Sequence, residues 1–188
     1  MLKKLSSILL ILIIGCFIWV VFNIDSISRK YIYPVEYSSY VETAAAETGI
    51  DKYLIYAVIK TESGFNNEAE SNVGARGLMQ LMEDAFDWVK FRMGDERDID
   101  YDDMYDPRYN IEYGSFLIKL LYEEYEDERT ALAAYHSGRG SVNEWLKDKK
   151  YSSDGKTLDQ IPSSVTDHYV NKVMTAYEGY TNLYGNPK

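Results

Sequence analysis

Leu54-Ile55-Tyr56-Ala57-Val58-Ile59-Lys60-Thr61-Glu62-Ser63-Gly64-Phe65, followed shortly by Gly74-Ala75-Arg76-Gly77-Leu78-Met79-Gln80-Leu81-Met82, is the stretch on which the fold turns. Leu54, Ile55, Val58 and Ile59 share one face of a helix, and Glu62 comes next on that face at i+3/i+4 spacing. The position predicts a half-buried carboxylate. It also falls in the last turn, where unpaired carbonyls give the helix a negative end that opposes a second negative charge. Desolvation and the dipole both raise its pKa, toward the range where a carboxylic acid donates a proton near neutral pH. A glutamate at a frayed helix end, turned out to water, is the plainer alternative, and the helix alone does not exclude it. The glycines after it let backbone approach a bound ligand closely, and Gln80 adds an amide that both donates and accepts.

Outward from this stretch, apolar residues recur at helical spacing between breakers. The pattern predicts helices over Ser38–Glu47, stopped by Gly49, and over Lys52–Ser63, capped by Asp51 and ended by Gly64. A third runs from Asp84 to Met93 and closes at Gly94. Asp106-Pro107 is an N-cap with proline at the first helical position, opening a long helix to about Tyr125. Thr130–Ser137 ends at Gly138, and Ser141-Val142-Asn143-Glu144 reads as a capping box before a short helix to Lys147. Thr166–Tyr180 is the last. No segment has strand periodicity, so the fold class is mostly α, with at most a small irregular β element near Val73–Met82.

The N-terminus reads differently. Met1-Leu2-Lys3-Lys4 is positive, and Leu5–Phe22 is apolar except for Ser6, Ser7 and Gly15. At ~1.5 Å per residue that run spans roughly 27 Å, enough for a bilayer core. The lysines ahead of it place the N-terminus in the cytoplasm and everything after about Asp25 outside, with Trp19 and Phe22 where interfacial aromatics are common. Residues 1–25 are therefore expected as an uncleaved single-pass membrane anchor, 26–37 as a juxtamembrane linker and 38–188 as the extracytoplasmic domain. Ile13-Ile14-Gly15-Cys16 also resembles a lipoprotein box, although the chain stays apolar beyond Cys16. A cleaved signal peptide would need a shorter apolar core and a small-residue cleavage site.

With 188 residues, the chain has room for one domain with a core beyond this appendage. Cys16 is its one cysteine, so the domain has no disulfide framework and no cysteine metal site. Many of its 18 tyrosines are expected in the core or along a groove. A formal charge of −10 argues against a nucleic-acid partner, which needs a basic stripe. The acids between Asp95 and Asp103 suggest a Ca²⁺ loop, but the sixth-position glycine and the closing glutamate are missing, and a solvated loop is expected instead. The metal prediction is none.

Several motifs stand in order along the chain. Glu62-Ser63-Gly64-Phe65 precedes Ser71 and the Gly74–Met82 run. Asp106-Pro107-Arg108-Tyr109-Asn110-Ile111-Glu112-Tyr113-Gly114, Ala134-Tyr135-His136-Ser137-Gly138, and Ile161-Pro162 with Thr166 and Tyr169-Val170 follow. Together they resemble the soluble lytic transglycosylase family of peptidoglycan lyases, across roughly residues 38–182. The resemblance implies a lysozyme-like α-rich fold and cleavage of the β-1,4 bond between N-acetylmuramic acid and N-acetylglucosamine. It implies a single glutamate, matched by Glu62, that protonates the glycosidic oxygen and then helps the sugar's 6-hydroxyl close a 1,6-anhydro ring. No water and no cofactor is used, and the partner implied is the peptidoglycan glycan strand; the membrane is expected as a partner through the N-terminal helix alone. Asp84 and Asp87 are expected as a cap and a solvated face, so the second carboxylate of ordinary glycosidases is missing.

Position by position, Ser71 resembles a serine that contacts the muramoyl sugar, and Gln80, with Met79 and Met82, lines the groove. Tyr135 resembles the tyrosine near the catalytic carboxylate, and Tyr169 belongs to the C-terminal motif. Ser63 is expected to fix the turn that presents Glu62. Three positions depart from the pattern: Glu83 replaces a proline, His136 an asparagine, and Val165 an acid. A hydrolytic muramidase of the same fold, or a wall-binding scaffold module with little turnover, are the alternatives. A monomer is expected.

Overall fold

The computed structural model describes residues 2–185, with side chains from Leu12 onward; the Lys3 and Lys4 flank of the expected anchor lies outside the described side chains. Eight α-helices follow one another: α1 Leu2–Ile27, α2 Ser38–Thr48, α3 Lys52–Glu62, α4 Glu83–Met93, α5 Pro107–Tyr125, α6 Glu128–Ser137, α7 Arg139–Lys147 and α8 Ser164–Tyr180. No strand forms among the described residues. The segment between α3 and α4 holds only isolated bridges, Glu70 with Arg76 and Arg76 with Leu81.

The caps explain the helix limits. Asp51 Oδ1 accepts the Tyr53 N–H at 2.8 Å, and Asp106 Oδ1 accepts that of Arg108 at 2.8 Å. Gly49 and Gly94 close α2 and α4 in the left-handed conformation, which costs glycine nothing. The expected capping box at Ser141 does not form. Gly138, at φ 81°, both ends α6 and opens α7, so Ser141 and Glu144 already lie inside the helix and Glu144 pairs with Lys147. Asp84 is likewise not a cap: α4 starts one residue earlier, and Asp84 Oδ1 accepts the N–H of Ala85.

α5 is the central rod. Ile111, Tyr113, Ile118 and Leu121 are fully buried along it, and α2, α4 and α6 pack around it. The α3–α8 pair forms the other half of the core, with Ile55, Val58 and Ile59 facing Val170, Val173 and Tyr180. Each such side chain contributes roughly 1.5–3 kcal/mol by leaving water. The tyrosines serve packing, as their number suggests. Tyr113 stacks on Phe86 at 5.0 Å between centroids, and Tyr180 on Tyr56 at 5.5 Å.

The acid-rich segment is not a solvated loop throughout. The Asp95 side chain is only 6% exposed, held by Arg97 at 2.6 Å and by the Tyr113 hydroxyl at 2.6 Å, and the guanidinium holds its carboxyl well below the usual range. Arg97 also binds Glu112. Asp100 and Asp103 form a capping box on the 3₁₀ turn Tyr101–Tyr105.

Leu12–Ile32 is long and apolar enough to cross a membrane, and none of it is buried. The helix continues past residue 26 and ends in a wide π-type turn, Ser28–Ile32. Residues 29–34 then grip the end of α8 and the π-type turn Thr181–Gly185 that follows it. Arg29 donates to the Leu183 carbonyl and lies 4.4 Å from the Tyr184 ring. The Tyr184 hydroxyl donates to the Tyr33 carbonyl at 2.7 Å, and the Tyr180 hydroxyl to that of Pro34 at 2.8 Å. Gly179 leaves the space in which the Tyr33 ring sits.

Candidate active site

The glycine segment is tied down from three helices. Ser63, at the end of α3, donates to the Leu78 carbonyl at 2.8 Å, which fixes the turn after Glu62. From α5, Asn110 accepts the Met79 N–H at 2.7 Å and donates to the Arg76 and Met104 carbonyls at 2.9 and 2.8 Å. From α6, the Tyr135 hydroxyl donates to the Met79 carbonyl at 2.8 Å. Both backbone polar groups of Met79 are therefore held. Gly77 is required where it stands: at φ 76°, a Cβ would lie 2.1 Å from the Met104 carbonyl oxygen.

Glu62 ends α3 half-buried. Burial pushes its carboxyl up to about 7, while the Tyr169 hydroxyl and the charge of Lys172 hold it back. Tyr169 is buried, and its hydroxyl makes no hydrogen bond of good geometry, although it lies close enough to Glu62 to favour the carboxylate. Tyr135 also feels the Glu62 charge, and both phenols are pushed well above their ordinary pKa, chiefly by burial. Both stay protonated beside the carboxyl, Tyr135 with its proton on the Met79 carbonyl. His136 lies 4.4 Å from the Tyr169 ring, its Nδ1 is 3.4 Å from Thr166 Oγ1, and burial lowers its pKa, so the imidazole is neutral at pH 7.

A cleft of about 550 Å³ opens beside this cluster, lined by Met82, Trp88, Leu117, Tyr135, His136 and Arg139 among others. Glu62, Tyr135, His136 and Tyr169 thus gather in one place, and Met82 faces the cleft. The Met79 side chain does not. It is fully buried against Gly114, and only its backbone is engaged. Gln80 is held at φ 49°, its Nε2 donating to the Ala69 and Gly77 carbonyls, a strained backbone of the kind found at ligand clamps. The Ser71 hydroxyl accepts from the Ala75 N–H at 2.9 Å and so closes its own loop.

Sequence reasoning assigned no role to Asn110, Trp88 or Arg139. Asn110 stood in one of the ordered motifs, which was its only signal in the sequence. Arg139 stacks over the Trp88 ring at 4.4 Å and pairs with Glu124, building one wall of the cleft. Asp84 also lines the cleft, from the exposed first turn of α4. Among the described residues, no three His, Cys, Asp or Glu side chains come together as a metal site.

The transglycosylase SLT domain model matches residues 39–158. The chain is 35% identical over 121 residues to a transglycosylase of Enterobacteria phage PRD1, covering 64% of this chain and 41% of that one. It is 30% identical to membrane-bound lytic murein transglycosylase C of Photorhabdus laumondii, covering 84% and 48%. It thus spans less than half the length of these curated relatives. Among solved structures, an inactive glutamate-to-glutamine mutant of the lytic transglycosylase Slt from Pseudomonas aeruginosa superposes with a TM-score of 0.72 at 27% identity, covering 83% of this chain and 25% of that one. The 70 kDa soluble lytic transglycosylase of Escherichia coli gives 0.73 at 25% identity, covering 82% and 25%.

Proposed function

The chain belongs to the transglycosylase SLT domain family, and on that premise we propose that it is a lytic transglycosylase acting on peptidoglycan, with Glu62 as its acid and base. One observation carries the mechanism: a half-buried carboxyl with pKa about 7, ringed by protonated tyrosines at the edge of a cleft. Protonated Glu62 gives its proton to the glycosidic oxygen as the muramoyl C1–O bond breaks. The muramoyl 6-hydroxyl then closes on C1, and the Glu62 carboxylate takes the hydroxyl proton. The products are a free 4-hydroxyl on N-acetylglucosamine and a 1,6-anhydromuramoyl end. Glu62 finishes as it began, protonated, and no water is consumed. Tyr169 donates toward the carboxylate that exists between the two transfers, while Tyr135 keeps its proton on the Met79 carbonyl. A relative's inactivation by one glutamate-to-glutamine change supports giving the proton traffic to one residue.

The apolar helix over Leu12–Ile32 supports a single-pass anchor with the domain outside the cytoplasm. Because Arg29, Tyr33 and Pro34 clasp the end of α8, the anchor and the domain would be held together, keeping the cleft close to the membrane surface.

A second reading has its own support. Asp84 offers a carboxylate in the same cleft, which is what water activation in a hydrolytic muramidase would need. Its exposed position and the bond it accepts from Ala85 argue for the first reading.

The pH dependence of fragment release tests the assignment of Glu62. The resting enzyme needs Glu62 protonated, so kcat/KM should fall about tenfold per pH unit above pH ~7. Tyr169 lowers the Glu62 pKa, so Tyr169→Phe should move that alkaline limb upward. A limb near pH ~4.5, or one that Tyr169→Phe leaves in place, would remove Glu62 from the role.

A further inference from the structure

The segment between the membrane helix and α2 is held too closely to be a tether. The Tyr33 ring sits where α3 and α8 meet. Gly179 of α8 leaves room for it, the Tyr180 ring meets it edge-on at 5.2 Å between centroids, and Lys60 of α3 lies 5.7 Å from its centroid. The backbone around it is fixed as well. Tyr184 and Tyr180 donate to the carbonyls of Tyr33 and Pro34, and Tyr37 turns the chain into α2 at φ 55°. A tyrosine takes that left-handed conformation only where its surroundings impose it. A flexible linker has no such fixed points.

These fixed points fall on the two helices that carry Glu62 and Tyr169. Tyr56 of α3 stacks on Tyr180 of α8 at 5.5 Å, while Glu62, further along α3, meets Tyr169, further back along α8. The helices therefore run antiparallel, with Tyr180 and the Tyr33 ring toward one end of the pair and the acid at the other. Little else holds the Tyr169 hydroxyl. It is buried, it makes no hydrogen bond of good geometry, and His136 packs only on the ring. Whether that hydroxyl favours the Glu62 carboxylate depends on how closely α8 lies against α3.

We propose that Tyr33 is a positioning residue: wedged against α3 and α8, its ring sets the spacing at which Tyr169 reaches Glu62. The segment leaving the membrane helix is then a working part of the domain. Tyr33 does not line the cleft beside Glu62, so it acts through the two helices alone. The inference rests on the transglycosylase reading for what Glu62 does, and its test separates the two.

The full chain, anchor included, is compared with its variants in detergent micelles. Gly179→Ala puts one methyl where the ring now sits, 2.2 Å from Tyr33 Cζ. Alanine suits a helix better than glycine, so with nothing in the way it would raise the urea midpoint. It should instead lower the midpoint in the parent and raise it once Tyr33→Ala has emptied the site. That reversal establishes the wedge, and the pH profile establishes what the wedge does. Gly179→Ala and Tyr33→Ala should each move the alkaline limb of kcat/KM upward by about half a pH unit, because Tyr169 then favours the carboxylate less. Neither should move it further in a Tyr169→Phe background. Tyr33→Phe, which keeps the ring, should restore the parent limb. Tyr33→Leu stands in for Tyr33→Ala if the alanine variant does not fold.

A limb that stays in place or moves down in these variants, or that shifts equally with and without the Tyr169 hydroxyl, overturns the proposal. Should the parent release no fragments at any pH, the transglycosylase reading fails and the carboxyl itself is followed. Carbon NMR of the Glu62 side chain, identified by the signal that Glu62→Gln removes, gives its titration midpoint in the same variants. That midpoint should rise with Gly179→Ala and Tyr33→Ala only while Tyr169 keeps its hydroxyl. An unmoved midpoint counts against Tyr33 whatever the protein catalyses.

Discussion

Glu62→Gln is expected to cut fragment release from peptidoglycan by about 10³-fold while leaving the domain folded and, at pH 8, more stable than the parent. Glutamine keeps the shape and a hydrogen-bonding amide but can neither give nor take a proton. The stability gain follows from the same burial that raises the pKa. In the folded parent, Glu62 holds its proton up to about pH 7; in the unfolded chain it loses it near pH 4.5. The native state therefore binds more protons between those values, and parent stability falls as pH rises through that window. Glutamine escapes this penalty. Its advantage is absent below pH ~4.5, grows to about pH 7 and is flat above, reaching up to about 3 kcal/mol. Urea midpoints of the two proteins at pH 4 and pH 8 measure it. A variant that loses activity with no gain at pH 8 would mean that Glu62 is more open to water than the structure shows.

Asn110→Ala should cause the largest loss of stability, about 3–5 kcal/mol. It removes three hydrogen bonds at once, to Met79, Arg76 and Met104, and leaves their backbone groups without partners in a fully buried site. Against a typical domain stability of about 5–15 kcal/mol, that threatens the fold. Asn110→Asp should fare no better, because its acceptor oxygens would face the two carbonyls that the amide now serves. Chemical unfolding gives the answer, and a loss under about 1 kcal/mol for either variant would show that the glycine segment holds its shape without α5.

The contrast between these two residues marks what the sequence made legible. Glu62 announced itself because a carboxylate on an apolar face breaks a local pattern. The caps at Asp51 and Asp106 and the glycine stops at Gly49 and Gly94 are local too, and the helices lie close to where spacing placed them. Asn110 breaks no pattern within its own helix. Its partners are backbone groups at Arg76, Met79 and Met104, brought to it only by the tertiary fold. Asp95 was hidden for the same reason: its ion pair with Arg97 is local, but its burial depends on Tyr113 and Glu112 of α5. Met79 looked like a groove residue by its neighbours in sequence, yet its side chain is fully buried in the core while Met82 is left at the cleft. The 26–37 segment read as a linker on composition, because the tyrosines that hold it lie some 150 positions away.

The most direct test of the central claim is the chemistry of the new ends. Purified peptidoglycan is digested by the protein in heavy-oxygen water, and the released fragments are weighed by mass spectrometry. Internal cyclisation by Glu62 predicts muramoyl ends lighter by one water than hydrolysed ends, with no heavy oxygen incorporated. Reducing muramoyl ends that carry the heavy oxygen would contradict it, and would hand the second half of the reaction to an activated water, with Asp84 the first carboxylate to examine.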